Sequence, residues 1–172
     1  MQPNFQSAIW QQFGAAIDTL ADAIRACPDE LWRARLWDVP DKPEFGEFWY
    51  IAYHTLFWLD YYLSEDPENF STPAPFTQSE FNMDDGLPER VYARDELLTY
   101  LQYGRDKCRA RIESGTDLFA PQRCRPNYLD MTIAELHLYN MRHVQEHAAA
   151  LNMLLGQRNI AAPDWVSRAR ST

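Results

Sequence analysis

The chain has 172 residues, of which 46% are hydrophobic and 14% aromatic, enough to build one compact domain, residues 1–172, around its own core. A formal net charge of −9 and a pI of about 4.8 make phosphate backbones and anionic membrane surfaces poor partners, so neither nucleic acid nor membrane is expected. Six glycines are too few for the turns of a β-sandwich or the phosphate loops of a nucleotide-binding α/β fold.

The N-terminal stretch MQPNFQSAIW lacks the basic and apolar runs of a signal peptide, and no segment approaches the roughly 20 apolar residues of a spanning helix. Cys27, Cys108 and Cys124 form no CxxC pair and leave one over under any disulfide scheme. A reducing, cytoplasmic setting is therefore expected.

The first helix is predicted from about Asn4, a plausible N-cap, to Cys27, with Ile9, Phe13, Ile17, Leu20 and Ile24 at helical spacing. Pro28 ends it, and Asp29 to Trp32 can add one more helical turn. Residues 33–45, with Pro40 and Pro43, read as a connector.

The second helix is predicted from Gly46 to Leu63 and is unusually aromatic: Phe48, Trp49, Tyr50, Tyr53, Phe57, Trp58, Tyr61 and Tyr62. With so little polar face, it is expected to be buried on two sides or at a subunit contact. Residues 64–90 then form an acidic, proline-rich loop, with four prolines and seven acidic residues against one arginine. A loop this long inside a compact domain is either a solvated irregular segment or a cover for a pocket.

The third helix is predicted from Arg94 to Ser114, with Gly115 as its C-cap. Gly104, in its middle, implies a close neighbouring helix or room for a ligand. A connector with Pro121 and Pro126 follows, and no strand is expected. The fourth helix opens on a Thr132–Glu135 capping box and runs to Leu155, with Gly156 ending it. In the tail beyond, Trp165 is the expected docking residue. Four long helices without a strand specify an all-α, four-helix bundle.

The chain has four histidines, at 54, 137, 143 and 147. His143 and His147 are four apart, so they project about 40° from each other around the helix and can converge on one divalent ion. The bland alternative is a pair of surface or hydrogen-bonded histidines. Asn140 extends the same polar stripe along an otherwise apolar helix, which is costly to bury unless something satisfies it. His54 sits mid-helix in YIAYHTLFW and needs a partner for the same reason. If the second and fourth helices face each other, His54, His143 and His147 form a three-nitrogen site with open positions. His137 lies about 120° from His143 around the helix and is assigned to the surface or to a second face.

HVQEH, at 143–147, also matches the H-x-x-E-H of inverted zinc proteases. Those enzymes need a further acidic ligand downstream. Only 25 residues follow His147, and they hold no glutamate and one aspartate, Asp164. The di-iron pattern fails too, because no histidine has glutamate three residues before it. Glu146 either flanks the site or pairs with Arg142 one turn back.

GEFWYIAYHTLFWLDYYL around His54, IAELHLYNMRHVQEHAAALNMLLG around His143 and His147, and ARDELLTYL at the start of the third helix resemble the DinB/YfiT-like family. The resemblance follows element order along essentially the whole chain. It implies a four-helix bundle with a long crossover connection and a three-histidine site for zinc, nickel or a similar divalent ion. It also implies a homodimer and, in some relatives, thiol-dependent transferase or isomerase activity with low-molecular-weight thiols such as mycothiol, bacillithiol or glutathione. The long acidic loop and the aromatic second helix depart from many relatives.

Two functions follow. One is a metal-dependent S-transferase or hydrolase acting on a small molecule, with Asn140 and tyrosines such as Tyr50 or Tyr139 touching substrate. The other is a non-catalytic metal-binding or dimerisation module. An open face on the metal, under residues 64–90, favours the first.

Overall fold

A computed structural model describes residues 5–82, 86–124 and 129–171. Its helices are α1 (Phe5–Ala26), α2 (Phe48–Tyr62), α3 (Arg94–Glu113) and α4 (Ile133–Gln157), with short 3₁₀ turns at Asp29–Leu31, Pro43–Gly46 and Ser79–Phe81. The four predicted helices are all present, within two residues at most ends. The Asn4 cap and Pro126 fall outside the described residues.

Each helix is placed by the face it buries. In α1, Phe13, Ile17, Leu20 and Ile24 are fully buried. They supply the apolar stripe that fixes the rotation of the helix on its neighbours. In α2 the burial wraps almost all the way round, from Phe48 to Tyr62. That follows from its position: α2 packs against α3 on one side and α4 on the other, and α1 packs against the same two helices. One hydrophobic cluster draws on all four helices.

The ends behave as local chemistry dictates. Thr132 Oγ1 accepts the Glu135 N–H while the Glu135 carboxylate accepts the Thr132 N–H at 2.8 Å, the reciprocal capping box expected there. The Glu96 carboxylate likewise accepts the Ala93 N–H at the start of α3. Gly115 follows α3 at φ 76°, the left-handed position that favours glycine. α4 runs past Gly156, however, and the left-handed residue is Asn159 at φ 61°. Asparagine tolerates that conformation because its short side chain satisfies nearby backbone groups.

Gly104 marks a close crossing of α3 on α2: a Cβ there would lie 3.1 Å from Leu59 Cδ2. Beneath that crossing Asp60 is fully buried, accepting from Tyr100 Oη at 2.9 Å and from Lys107 Nζ. An ionic group is tolerated there because both oxygens are satisfied.

Two expectations are corrected. Strands β1 (Pro121–Cys124) and β2 (Leu129–Thr132) pair antiparallel ahead of α4, Pro121 opposite Thr132 and Cys124 opposite Leu129. Trp165 does not dock, being 79% exposed. The tail is held further on. Ala169 N–H donates to the Gln11 carbonyl, Arg170 N–H donates to Asp18 Oδ2 at 2.7 Å, and Arg105 bridges Asp18 and the Arg170 carbonyl. Ala169 also presses on Gly14, where a Cβ would come within 2.5 Å.

The acidic loop is pinned across α2 and α3. Phe76 stacks on Tyr100 at 4.3 Å between centroids, Phe81 meets Phe57 edge-on at 4.9 Å, and Tyr53 Oη donates to the Thr77 carbonyl. Its aromatic residues meet the aromatic surplus of α2, while Glu65, Asp66, Glu68 and Glu89 stay exposed. Among the described residues, no helix is long and apolar enough to cross a membrane.

Candidate metal centre

His54 stands midway along α2, and His143 and His147 stand one turn apart on α4, on the faces where the two helices pack. Asn140, one turn before His143, fixes the register: its Nδ2 donates to the Leu59 carbonyl of α2 at 3.0 Å. Asn140 is fully buried in this inter-helix tie, which removes it from the substrate-contacting role expected of it. Tyr139 packs edge-on against Tyr62.

The three imidazoles turn the same nitrogen inward. His143 Nε2 lies 3.3 Å from His54 Nε2 and 3.2 Å from His147 Nε2. With metal–nitrogen bonds of about 2.1 Å, neighbouring ligand nitrogens are about 3.0 Å apart in an octahedron and about 3.4 Å in a tetrahedron. Both distances from His143 fall between these edges. The three residues offer ring nitrogens all within 4.8 Å of one another, close enough to hold one ion.

The two α4 histidines are in the right protonation state. Burial, with smaller contributions from the neighbouring imidazoles, pushes His143 down to about 2. Burial and His54 push His147 down to about 4, against a smaller opposing pull from Glu80. Both are neutral near pH 7 and keep a lone pair.

Glu80, a residue the sequence reading did not single out, completes the centre. It comes from the 3₁₀ turn at Ser79–Phe81 in the acidic loop, and its side chain is only 5% exposed. Its Oε2 lies 2.7 Å from His54 Nδ1 and 2.9 Å from Trp58 Nε1, and its Oε1 accepts from Tyr50 Oη. An ionised carboxylate only accepts, so His54 Nδ1 must carry the proton and Nε2 the lone pair. This is the carboxylate–histidine relay that orients metal-binding imidazoles. Tyr50 is expected near the site, and it is there as a donor to Glu80; burial first and Glu80 second push its phenol up, so it stays protonated.

The remaining polar candidates stand apart. Glu146 is exposed, and no ion pair joins it to Arg142 among the described residues. His137 is 2% exposed rather than superficial, with both ring nitrogens buried and unpaired. Cys27 and Cys108 are buried free thiols held protonated by desolvation, Cys27 at about 12. Neither is available as a nucleophile.

A cavity of about 340 Å³ opens beside the histidines, reached by His54, His147 and Glu80 and walled by Trp37, Phe45, Tyr50 and Trp58. Asn82 and Gly86 of the acidic loop close one side. No protein-family model matches the chain, nor does any curated protein or solved structure. The site's geometry therefore carries the functional reading by itself.

Proposed function

We propose that the protein is a divalent-metal-dependent enzyme acting on a small molecule, with His54, His143 and His147 as ligands. Zinc or nickel suits three imidazoles, an intermediate-to-soft nitrogen set. The observation that carries the reading is the approach of His143 Nε2 to the Nε2 atoms of His54 and His147 at 3.3 and 3.2 Å, with His54 hydrogen-bonded to Glu80.

Catalysis is favoured over a structural metal because the described residues supply only three ligands and a cavity adjoins them. Structural zinc sites are closed by four protein ligands. A bound divalent ion would supply Lewis acidity, lowering the pKa of a water or thiol toward neutrality. The chain's own contribution is orientation and enclosure. Glu80 fixes the tautomer of His54, Tyr50 and Trp58 hold Glu80, and the aromatic walls restrict water. Hydrolysis and S-transfer are the two reaction types such a centre serves.

The His54 and H-x-x-x-H placement supports assigning the chain to the DinB/YfiT-like type, with its long crossover connection and homodimeric assembly as part of the same proposal. Metal analysis after reconstitution of the full chain with zinc or nickel tests the site. One equivalent retained by the wild type and lost in His143→Ala is expected. A wild type that retains none overturns it.

A further inference from the structure

We propose that the cavity receives a ligand built from one metal-binding group on a flat apolar body, and that it selects against ligands that carry further free carboxylates, glutathione among them. The inference rests on the three-histidine metal reading and deepens it by naming the substrate class.

The walls make the first half of the argument. Trp37, Phe45, Tyr50 and Trp58 present ring surface to the cavity. Phe45 meets Tyr50 edge-on at 4.7 Å, so two of these rings support each other. Trp37 is held by its backbone: its carbonyl lies 2.1 Å from where a Cβ of residue 46 would stand, so only glycine fits there. Leu36 N–H then donates to the Gly46 carbonyl at 2.8 Å. Yet Trp37, which lines the cavity, is 44% exposed. A large aromatic held in place by its backbone and left wet beside an apolar cavity is a ready stacking surface for a ligand.

The polar groups make the second half. Among the described residues, no lysine or arginine lines the cavity. Lys42 sits 5.3 Å from the Phe45 ring centroid and is not part of the lining. The carboxylate that reaches the cavity, Glu80, engages both oxygens with Tyr50, His54 and Trp58. A ligand carboxylate that does not reach the metal would therefore lie near Glu80 with no lysine or arginine of the described residues beside it, and the like-charge contact disfavours it. What remains for recognition is one strong anchor at the three histidines and apolar area.

The test is calorimetric titration of the zinc-loaded full chain with three probes: benzohydroxamate, acetohydroxamate and glutathione, with zinc content measured before and after. The two hydroxamates share a chelating group and differ in the ring. Benzohydroxamate should bind at least about tenfold more tightly than acetohydroxamate, because the ring buries apolar area. Trp37→Ala and, separately, Phe45→Ala should each shrink that ratio. Glutathione should bind more weakly than benzohydroxamate. Equal affinity for the two hydroxamates, or tighter binding of glutathione, with zinc retained, overturns this inference and leaves the metal site standing. Failure to retain zinc at the outset overturns the metal reading and this inference with it.

Discussion

Glu80 and His54 are joined at 2.7 Å across 26 positions of sequence, and the contact ties the acidic loop to the centre of the bundle. Its geometry gives Glu80 one clear task, to keep the proton on Nδ1 so that Nε2 faces His143. Glu80→Ala should weaken zinc binding by about 10- to 100-fold, the usual effect of removing such a carboxylate. Glu80→Gln should fall between, since its carbonyl still accepts the Nδ1 proton but carries no charge. Competition against a chelator of known affinity measures both. Unchanged affinity in Glu80→Ala would falsify the orienting role.

The four helices were legible because periodicity, Thr132–Glu135 and Gly115 are local signals. The three histidines were legible because each interrupts an apolar face at a cost that needs compensation. Glu80 was not legible for the opposite reason. It is one of seven acidic residues spread over a loop that reads equally well as solvated or as a pocket cover, and nothing in its spacing distinguishes it. The signal available was its flanks: Phe76 and Phe81 had to find apolar partners, and α2 offered an aromatic surface. The strands were missed because PQRC and LDMT are only four residues each, and PQRC opens on a proline and lacks apolar alternation. Trp165 stays exposed because the tail is held by Asp18, Arg105 and backbone hydrogen bonds, none of which its apolar residues signal.

Zinc should stabilise the folded chain. A ligand that binds only the native state adds RT ln(1 + [L]/Kd), about 2.7 kcal/mol at a hundredfold excess over Kd. Thermal melts with and without zinc should show a rise for the wild type and none for His143→Ala. An equal rise in both would place the metal elsewhere.

His137 should make stability pH-dependent in acid. Burial, assisted by Arg111, lowers its folded pKa from 6.5 to about 4. The unfolded chain therefore binds the proton more readily, and stability falls as pH drops from about 6.5 toward 4. The full loss from this group is roughly 3 kcal/mol. His137→Leu removes the titration and two unpaired buried nitrogens. Urea melts of the metal-free proteins at pH 7 and pH 4.5 should show a smaller loss for the variant, and equal losses would count against burial as the cause.

The C-terminal tail should depend on Asp18 and Arg105 and hardly at all on Trp165. Asp18 and Arg105 are both buried, with Arg105 Nε donating to Asp18 Oδ1 at 2.8 Å. Together they bind both backbone groups of Arg170, whose own guanidinium reaches Asp22. Removing one partner leaves a buried charge uncompensated, a cost of about 3–5 kcal/mol. Arg105→Ala should lose about that much and release the last residues to proteolysis. Trp165→Ala, at an exposed position, should stay within about 0.5 kcal/mol of the wild type. Denaturant melts with limited proteolysis compare the two directly. A larger loss for Trp165→Ala than for Arg105→Ala would restore the tryptophan as the anchor, and the buried ion pair would then be incidental to how the tail is held.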